Sequence, residues 1–127
     1  MKDKPYNSGQ WTVARFNSFI KGGLRNISQR WPPKYQVRKE AWVKRGVYKC
    51  VGYKRRTHQA PASIRVNNKR VNNIFVDHIV PVIDPKKGFE NWNTVVIRMF
   101  CEAEGLQVLC LDCHKRKTND ERQGSLR

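Results

Sequence analysis

The sequence predicts a small α+β protein, and three observations carry this prediction. Apolar residues recur at helical spacing before residue 46 and again over about residues 92–104. Two apolar runs of strand length occupy residues 74–80 and 106–109. A Cys-x-x-Cys pair, Cys110 and Cys113, directly follows the second run. A chain of 127 residues fits one domain with a modest core.

The charge balance points to a polyanionic partner. Lys and Arg number 26 against 10 Asp and Glu, which gives a net charge of +16. Such a chain repels itself unless it binds an acidic partner such as a nucleic acid. Aromatic residues such as Trp11, Trp31 and Trp42 are interleaved with the cations, unlike in a disordered basic tail. On composition alone, a ribosome-type RNA binder fits as well.

The cysteines are interpreted from the compartment that the sequence predicts. The N-terminal residues 1–5 are polar and no apolar stretch approaches membrane-spanning length, so we expect a cytoplasmic protein with no membrane association. In a reducing compartment, cysteines serve metals more often than disulfides. Two thiolates two residues apart form half of a tetrahedral zinc site. Cys101 falls within a helical pattern and is predicted to be a buried apolar residue.

Residues 1–46 are predicted to form a basic helical arm. A first helix is expected from Gln10, with Ser8 as a possible cap, and it stops by Trp31 before two prolines. A second is expected from Pro33 or Lys34 to Arg45, with Gly46 at the C-terminal cap. The arm could dock DNA or cover the sheet of the core, and both can hold.

Two segments carry a resemblance to a known family. They are Asp77-His78-Ile79-Val80-Pro81 and the run from Leu106 that contains Cys110-x-x-Cys113-His114-x-x-Lys117-Thr118. This pair resembles the HNH endonucleases, and in particular small phage-encoded members. The resemblance implies a ββα-metal core over residues 47–127, with a helix inserted at about 92–104. The structural zinc would staple this core behind the basic arm.

The resemblance also raises the question of the remaining zinc ligands. A strand over residues 47–51 contains Cys50, and many family members carry a second Cys three positions later. Tyr53 stands at that position, so a four-cysteine site is not possible here. His58 is the nearest competent donor, and we expect zinc at Cys50, His58, Cys110 and Cys113. Alternatively, His58 is an exposed residue of a basic loop that touches phosphate.

By resemblance, His78 is the general base, while Asp77 and His114 hold a catalytic Mg²⁺, Mn²⁺ or similar divalent ion. A His with a pKa of roughly 6.5 can accept a proton from water at neutral pH. The middle Asn of the family signature, which orients the base, corresponds to Gly105. Possible substitutes for it are Asn91 and Asn93, and possible further metal ligands are Glu90, Glu102 and Glu104.

Cations beside these motifs are predicted to bind the nucleic acid. Lys117 lies one turn after His114 and could contact the scissile phosphate. Flanking phosphates are expected at the other candidates, which are Lys54, Arg55, Arg56, Lys115 and Arg116. Residues 54–73 are rich in Asn and cations and could bind phosphates or form an ordinary solvated hairpin, turned at Asn67-Asn68. Arg122 and Arg127 are expected to continue the basic surface.

The resemblance therefore implies a metal-dependent DNA endonuclease that nicks or cuts DNA, most simply duplex DNA, in the host cytoplasm. One alternative is a catalytically weak zinc-ribbon nucleic-acid-binding module, in which Gly105 marks lost activity. Another is a nuclease of a phage packaging assembly that depends on a partner protein. Sequence preference and oligomeric state are left open.

Overall fold

The computed structural model describes residues 3–125, with side chains to Gln123, and confirms the α+β class. The chain forms two compact units, one ending at Trp31 and the other beginning at Pro32. The sequence analysis placed a boundary after Gly46. The boundary between the compact units lies earlier, and the second predicted helix therefore belongs to the second unit. Arg127 lies outside the described residues. In the described part of the chain, no helix is long and apolar enough to cross a membrane.

The first unit is built on one helix, α1, which spans Val13–Ser28. Its N-cap is Thr12, whose Oγ1 accepts a hydrogen bond from the backbone N–H of Arg15 at 3.2 Å. The proposed cap Ser8 is instead part of a preceding turn with positive φ. Within this turn region Tyr6 and Trp11 form an antiparallel bridge, and the cap residue Thr12 follows directly after it.

Helix α2 opens the second unit and spans Pro32–Ala41. It ends four residues earlier than predicted, because Trp42–Lys44 forms strand β1 and pairs with β2, Val47–Cys50. Gly46 therefore serves the turn of this hairpin, with φ +77°, and not a helix cap. Aromatic and β-branched residues at 42 and 43 favour the strand over a further helical turn.

Strand β3, His58–Pro61, completes a three-stranded antiparallel sheet. Its register with β2 places Cys50 directly opposite His58. The connecting loop turns at Gly52, which has φ +84°. A Cβ at that position would lie 2.6 Å from the carbonyl oxygen of Arg56, so this turn requires glycine.

A separate two-stranded hairpin follows, as the sequence suggested. It consists of β4, Ser63–Val66, and β5, Lys69–Asn72. The turn residues Asn67 and Asn68 both have positive φ, at 52° and 64°. Two residues in this conformation are typical of a type I′ turn, for which Asn is well suited.

The last sheet pairs the two apolar runs. Strand β6, Ile74–His78, lies antiparallel to β7, Leu106–Cys110, and α4 follows at once over Leu111–Ser125. The core lies at this pair, where Ile74 and Leu109 are fully buried next to three of the cysteines.

The inserted helix, α3, is shorter than predicted and spans Trp92–Met99. Asn91 caps it, accepting from the N–H of Thr94 at 2.8 Å, as expected. The helix ends because Phe100 leaves the helical region, with φ −104° and ψ 49°. Cys101 therefore lies in a connection and is only half-buried, while a 3₁₀ turn over Ala103–Gly105 leads into β7.

Candidate functional site

Three cysteines and one histidine converge at the start of α4. The ligand atoms of Cys50, His58, Cys110 and Cys113 lie within 4.8 Å of one another. Cys50 and Cys113 are fully buried, and Cys110 is 6% exposed. Three sulfurs and one imidazole nitrogen are a common ligand set for tetrahedral zinc. The four residues can therefore hold a metal ion such as zinc, and the sequence-based ligand set, including His58, is confirmed as a spatial cluster.

A backbone contact orients the imidazole of His58 for metal binding. Its Nδ1 lies 3.0 Å from the carbonyl oxygen of Arg56, and a carbonyl can only accept, so Nδ1 carries the proton. The lone pair is then on Nε2, which lies 3.7 Å from the sulfur of Cys110. An imidazole that donates through its other nitrogen to a carbonyl is the usual arrangement of a metal-binding histidine.

The thiols are held in contrasting environments. Burial raises the pKa of the Cys50 thiol to about 11. Burial also acts to raise the pKa of Cys110, but the backbone N–H of Cys113, His58 and the two neighbouring thiols outweigh it and lower that pKa to about 7. Thiols bind metals as thiolates, so loading this cluster must release protons.

Tyr53 stands at the position where a fourth cysteine was considered, and its side chain hydrogen-bonds to helix α4 instead. Its hydroxyl donates a hydrogen bond to Asp120 Oδ2 at 2.8 Å. The same oxygen forms an ion pair with the ammonium of Lys54 at 2.9 Å. The two contacts lower the pKa of Asp120, Lys54 having the larger effect and Tyr53 the next. The loop after β2 is thereby joined to the middle of α4 without a metal.

A second group of polar residues lies where β6 faces α4. Asp77 Oδ1 is 3.8 Å from Nε2 of His114, and the His114 ring stacks on Phe75 with centroids 5.2 Å apart. Phe75 and Asp77 are two residues apart on β6, so both side chains point to the same face of the sheet. Two bonds of about 2.1 Å can span about 4.2 Å, so one divalent ion can reach both ligand atoms.

Lys117 is the third member of this polar group. Its ammonium has three N–H donors, and these reach Asp77 Oδ2 at 3.0 Å, Glu121 Oε1 at 2.8 Å and the carbonyl oxygen of His78 at 2.8 Å. Burial acts to lower the pKa of Lys117, but the two carboxylates outweigh it and raise that pKa. Lys117, expected to contact the scissile phosphate, is 9% exposed and has all three donors engaged within the chain.

This arrangement predicts a large stability loss on removing the ammonium group. Lys117→Met keeps the apolar stem but leaves Asp77 and Glu121 without their cation, and we expect the free energy of unfolding to fall by about 3 kcal/mol. Urea denaturation would measure the change. The control Lys115→Met, at an exposed position of the same helix, is expected to change stability by less than about 0.5 kcal/mol. Equal effects of the two substitutions would contradict the buried role of Lys117.

His78 points to a different neighbour from Asp77. Its Nε2 lies 2.9 Å from the carbonyl oxygen of Met99, at the C-terminal end of α3. That oxygen can only accept, so Nε2 carries the proton and Nδ1 keeps a lone pair. The last carbonyls of a helix have no partner within the helix, and here an imidazole supplies one. Adjacent strand residues face opposite sides, which agrees with the separate partners of Asp77 and His78.

The structure does not bring all predicted catalytic residues into one ligand group. Among residues 3–125, the cysteine and histidine cluster is the one group of three or more potential ligands that could hold an ion. Asp77, His78 and His114 do not form such a group, and neither do the exposed candidates Glu90, Glu102 and Glu104. A divalent ion at Asp77 and His114 would complete its coordination with water or phosphate oxygens.

Gly105, which was expected at the position of the family's Asn, is closely packed. A Cβ at Gly105 would lie 2.9 Å from the sulfur of Cys101, so a larger side chain requires that thiol to move. The carbonyl of Gly105 accepts from the N–H of Ile79 and extends the β6–β7 pairing. Asn91 is engaged in capping α3, and Asn93 is exposed in its first turn.

The cations proposed to bind nucleic acid fall into two kinds. Arg55 and Arg116 both pair with Asp112, at 3.0 and 3.1 Å, and Lys54 pairs with Asp120. Arg56 and Lys115 are exposed and form no ion pair with a carboxylate in the part of the chain that the structure describes. These last two are the better placed for phosphate.

Sequence reasoning missed two residues of this polar group, Gln107 and Glu121. Gln107 lies directly opposite Asp77 in the sheet and donates to its Oδ2 at 3.0 Å. Glu121 reaches the group through Lys117. The i,i+4 spacing of Lys117 and Glu121 on a helix could have indicated that ion pair, whereas the contact of Gln107 depends on strand register.

No protein-family model, curated protein or solved structure was found to match this chain.

Proposed function

We propose that this chain is a metal-dependent DNA endonuclease of the HNH type that hydrolyses phosphodiester bonds with His78 as the general base. One observation carries the proposal. Asp77 and His114 approach to 3.8 Å between β6 and α4, and the residue after Asp77 is a histidine with a free Nδ1 lone pair. An acid and an imidazole spaced for one ion suit metal-assisted hydrolysis. His78, whose side chain leaves the opposite face of the strand, would have to reach the attacking water around the C-terminal end of β6.

His78 would accept the proton of the attacking water at Nδ1. Donation from Nε2 to Met99 fixes both the tautomer and the direction of the ring. In the HNH family an Asn orients the base, and this chain has Gly105 at that position. We assign the orienting role to the Met99 carbonyl, which α3 holds in place. Met99 is thus a positioning residue, and the inserted helix compensates for the missing Asn.

Asp77 and His114 would hold the divalent ion. When bound, such an ion stabilises negative charge on the phosphate and on the leaving oxygen. Gln107 and Lys117 both bind Asp77 Oδ2 and so leave Oδ1 facing His114. Stacking on Phe75 restricts rotation of the His114 ring.

The cysteine and histidine cluster would serve as a structural zinc site. All four of its ligands are protein side chains, whereas catalytic zinc keeps an open position. Cys113 and His114 are adjacent on the first turn of α4, so a metal that holds Cys113 also fixes the direction of His114.

Duplex DNA fits as the substrate because the chain carries a net charge of +16. Exposed Arg56 and Lys115, which lie near the zinc cluster in the sequence, are available for phosphates. Binding that depends on several phosphate contacts weakens steeply with salt. We therefore expect both binding and cleavage to fade as the salt concentration rises.

A second candidate function has one observation in its favour. The ammonium of Lys117 already provides a cation for Asp77, at 3.0 Å. A zinc-stabilised nucleic-acid-binding module without catalysis would keep this ion pair as a purely structural link. Such a module needs only its structural zinc, whereas the endonuclease also needs a second, exchangeable divalent ion.

The test is conversion of supercoiled plasmid by zinc-loaded protein with and without added Mg²⁺ or Mn²⁺. We expect open-circular or linear DNA only when one of these ions is present, because hydrolysis would depend on a divalent ion held by Asp77 and His114. Retained DNA binding without cleavage, in Mg²⁺, Mn²⁺, Co²⁺ and Ni²⁺ alike, would contradict the endonuclease and favour the binding module.

A further inference from the structure

The two arginines of hairpin β4–β5 lie on one face, and the apolar residues lie on the other face together with Lys69. Residues directly opposite each other share a face, so Ile64 and Val71 lie on one face and Arg65 and Arg70 on the other. Ile64 and Val71 are half-buried, whereas both arginines are exposed. Ile64 also lines a cleft of about 440 Å³. The arginine face is therefore the one directed to solvent.

The charge on this hairpin has no compensation within the described chain. Residues 63–72 contain Arg65, Lys69 and Arg70 and no Asp or Glu. None of these three cations forms an ion pair with a carboxylate among residues 3–125. Like charges placed directly opposite on two strands destabilise a hairpin, and a polyanion would relieve this cost.

The base of the hairpin is firmly anchored. Buried Asn73 donates from Nδ2 to the carbonyl of Pro61 at 2.8 Å, and its Oδ1 accepts from the N–H of Leu111 at 3.1 Å. The backbone N–H of Asn73 also donates to Ala62 at 3.0 Å. The hairpin therefore projects from the junction of β6 and α4, the two elements that carry Asp77 and His114.

We propose that β4–β5 is a DNA-binding ribbon that enters the major groove of the duplex with its Asn67-Asn68 turn leading. The major groove, about 12 Å wide, admits a two-stranded ribbon directly, whereas entry into the minor groove, about 6 Å wide, requires the duplex to be deformed. Asn amides can pair with the major-groove edge of adenine. Arg65, Lys69 and Arg70 bind the flanking phosphates. This proposal depends on the proposed function only for the identity of the partner, duplex DNA.

The test measures duplex binding by the full zinc-loaded chain without Mg²⁺ or Mn²⁺, so that cleavage plays no part. Arg65→Gln/Arg70→Gln is expected to weaken binding at least tenfold. It is also expected to reduce the slope of log K against log salt by about 2, since each lost phosphate contact is worth about 0.9. The control Lys86→Gln/Lys87→Gln removes the same formal charge from exposed positions in the loop after β6, outside the basic arm and the hairpin. An equal effect of the control pair would overturn the proposal.

A second variant tests entry of the turn into the groove. Asn67→Gly/Asn68→Gly preserves the positive φ angles of the turn while removing both amides. We expect weaker binding with an unchanged salt slope, because amides carry no charge. Methyl green, which occupies the major groove, should compete with wild type, and netropsin, which occupies the minor groove, should not. Unchanged affinity of the glycine variant, or competition by netropsin alone, would overturn major-groove entry.

The two proposals can fail separately. Ion-dependent cleavage together with arginine variants that bind like the control would overturn the ribbon and leave the endonuclease intact. Ribbon-dependent binding without cleavage in any ion would overturn the endonuclease and leave the ribbon intact. Preference for duplex RNA, whose deep and narrow major groove excludes a ribbon, would also overturn the ribbon. Unchanged zinc content and circular dichroism of each variant establish that it is folded.

Discussion

Replacement of His78 by Gln is expected to lower the rate of plasmid cleavage by about 10²–10⁴-fold, the usual contribution of a general base. The Gln side-chain amide can still donate to the carbonyl of Met99, which accepts from His78 Nε2 at 2.9 Å in the wild type. It has no basic nitrogen to take a proton from water. The substitution therefore removes the chemistry while retaining the hydrogen bond.

Chemical rescue makes this prediction sharper. His78→Gly opens space at the same position, and added imidazole is expected to restore part of the lost cleavage rate. DNA affinity should remain within a few-fold of wild type in both variants, since neither changes a cation. A His78→Gln protein that cuts at the wild-type rate would rule out His78 as the base. Loss of activity with loss of folding, detected by circular dichroism, would instead assign His78 a structural role.

Replacement of Cys113 by Ser is expected to remove zinc and to abolish the cooperative unfolding of the second unit. Cys113 is fully buried and lies with Cys50, His58 and Cys110 within 4.8 Å. Binding of structural zinc in zinc-finger peptides is worth about 10–16 kcal/mol, most of which appears as folding free energy. Few other interactions in a small core contribute as much.

The fourth cysteine provides the matched control. Cys101→Ser is the same chemical change outside the cluster, and we expect it to retain one zinc per chain. His58→Cys, which converts the ligand set to four thiolates, should also retain the metal. Metal analysis of the purified proteins and thermal unfolding measure both effects. Equal zinc content in Cys113→Ser and wild type would exclude the cluster as the binding site.

Local patterns in the sequence were sufficient for several elements. The apolar runs at 74–80 and 106–109 became β6 and β7, and Asn67-Asn68 turned a hairpin as predicted. These elements depend on side-chain alternation and on backbone preferences that residues carry with them. The boundaries were less accurate. The second helix ended at Ala41 because β1 pairs with β2, and pairing is a contact between segments.

The residues of the candidate sites also differ in whether local sequence or contacts between distant segments reveal them. Cys110 and Cys113 are close in the sequence, so their metal chemistry could be inferred from spacing, whereas the role expected of His114 came only from the family resemblance. The position of His58 opposite Cys50 follows from strand register, so its proximity to the cysteines could not be inferred before the fold was known. The contact between His78 and the carbonyl of Met99 was not inferable at all, because a backbone carbonyl has no sequence signature.

The sequence by itself determined the α+β class, the chemical types of the ligands and the excess of positive charge. Each of these is a property of residue type or of short-range order. Only the tertiary structure decided that Met99 meets His78, that Lys117 is buried against Asp77 and Glu121, and that the arginines of β4–β5 share one exposed face. Such contacts join distant segments or require knowledge of which surfaces are buried, and both depend on how the whole chain packs.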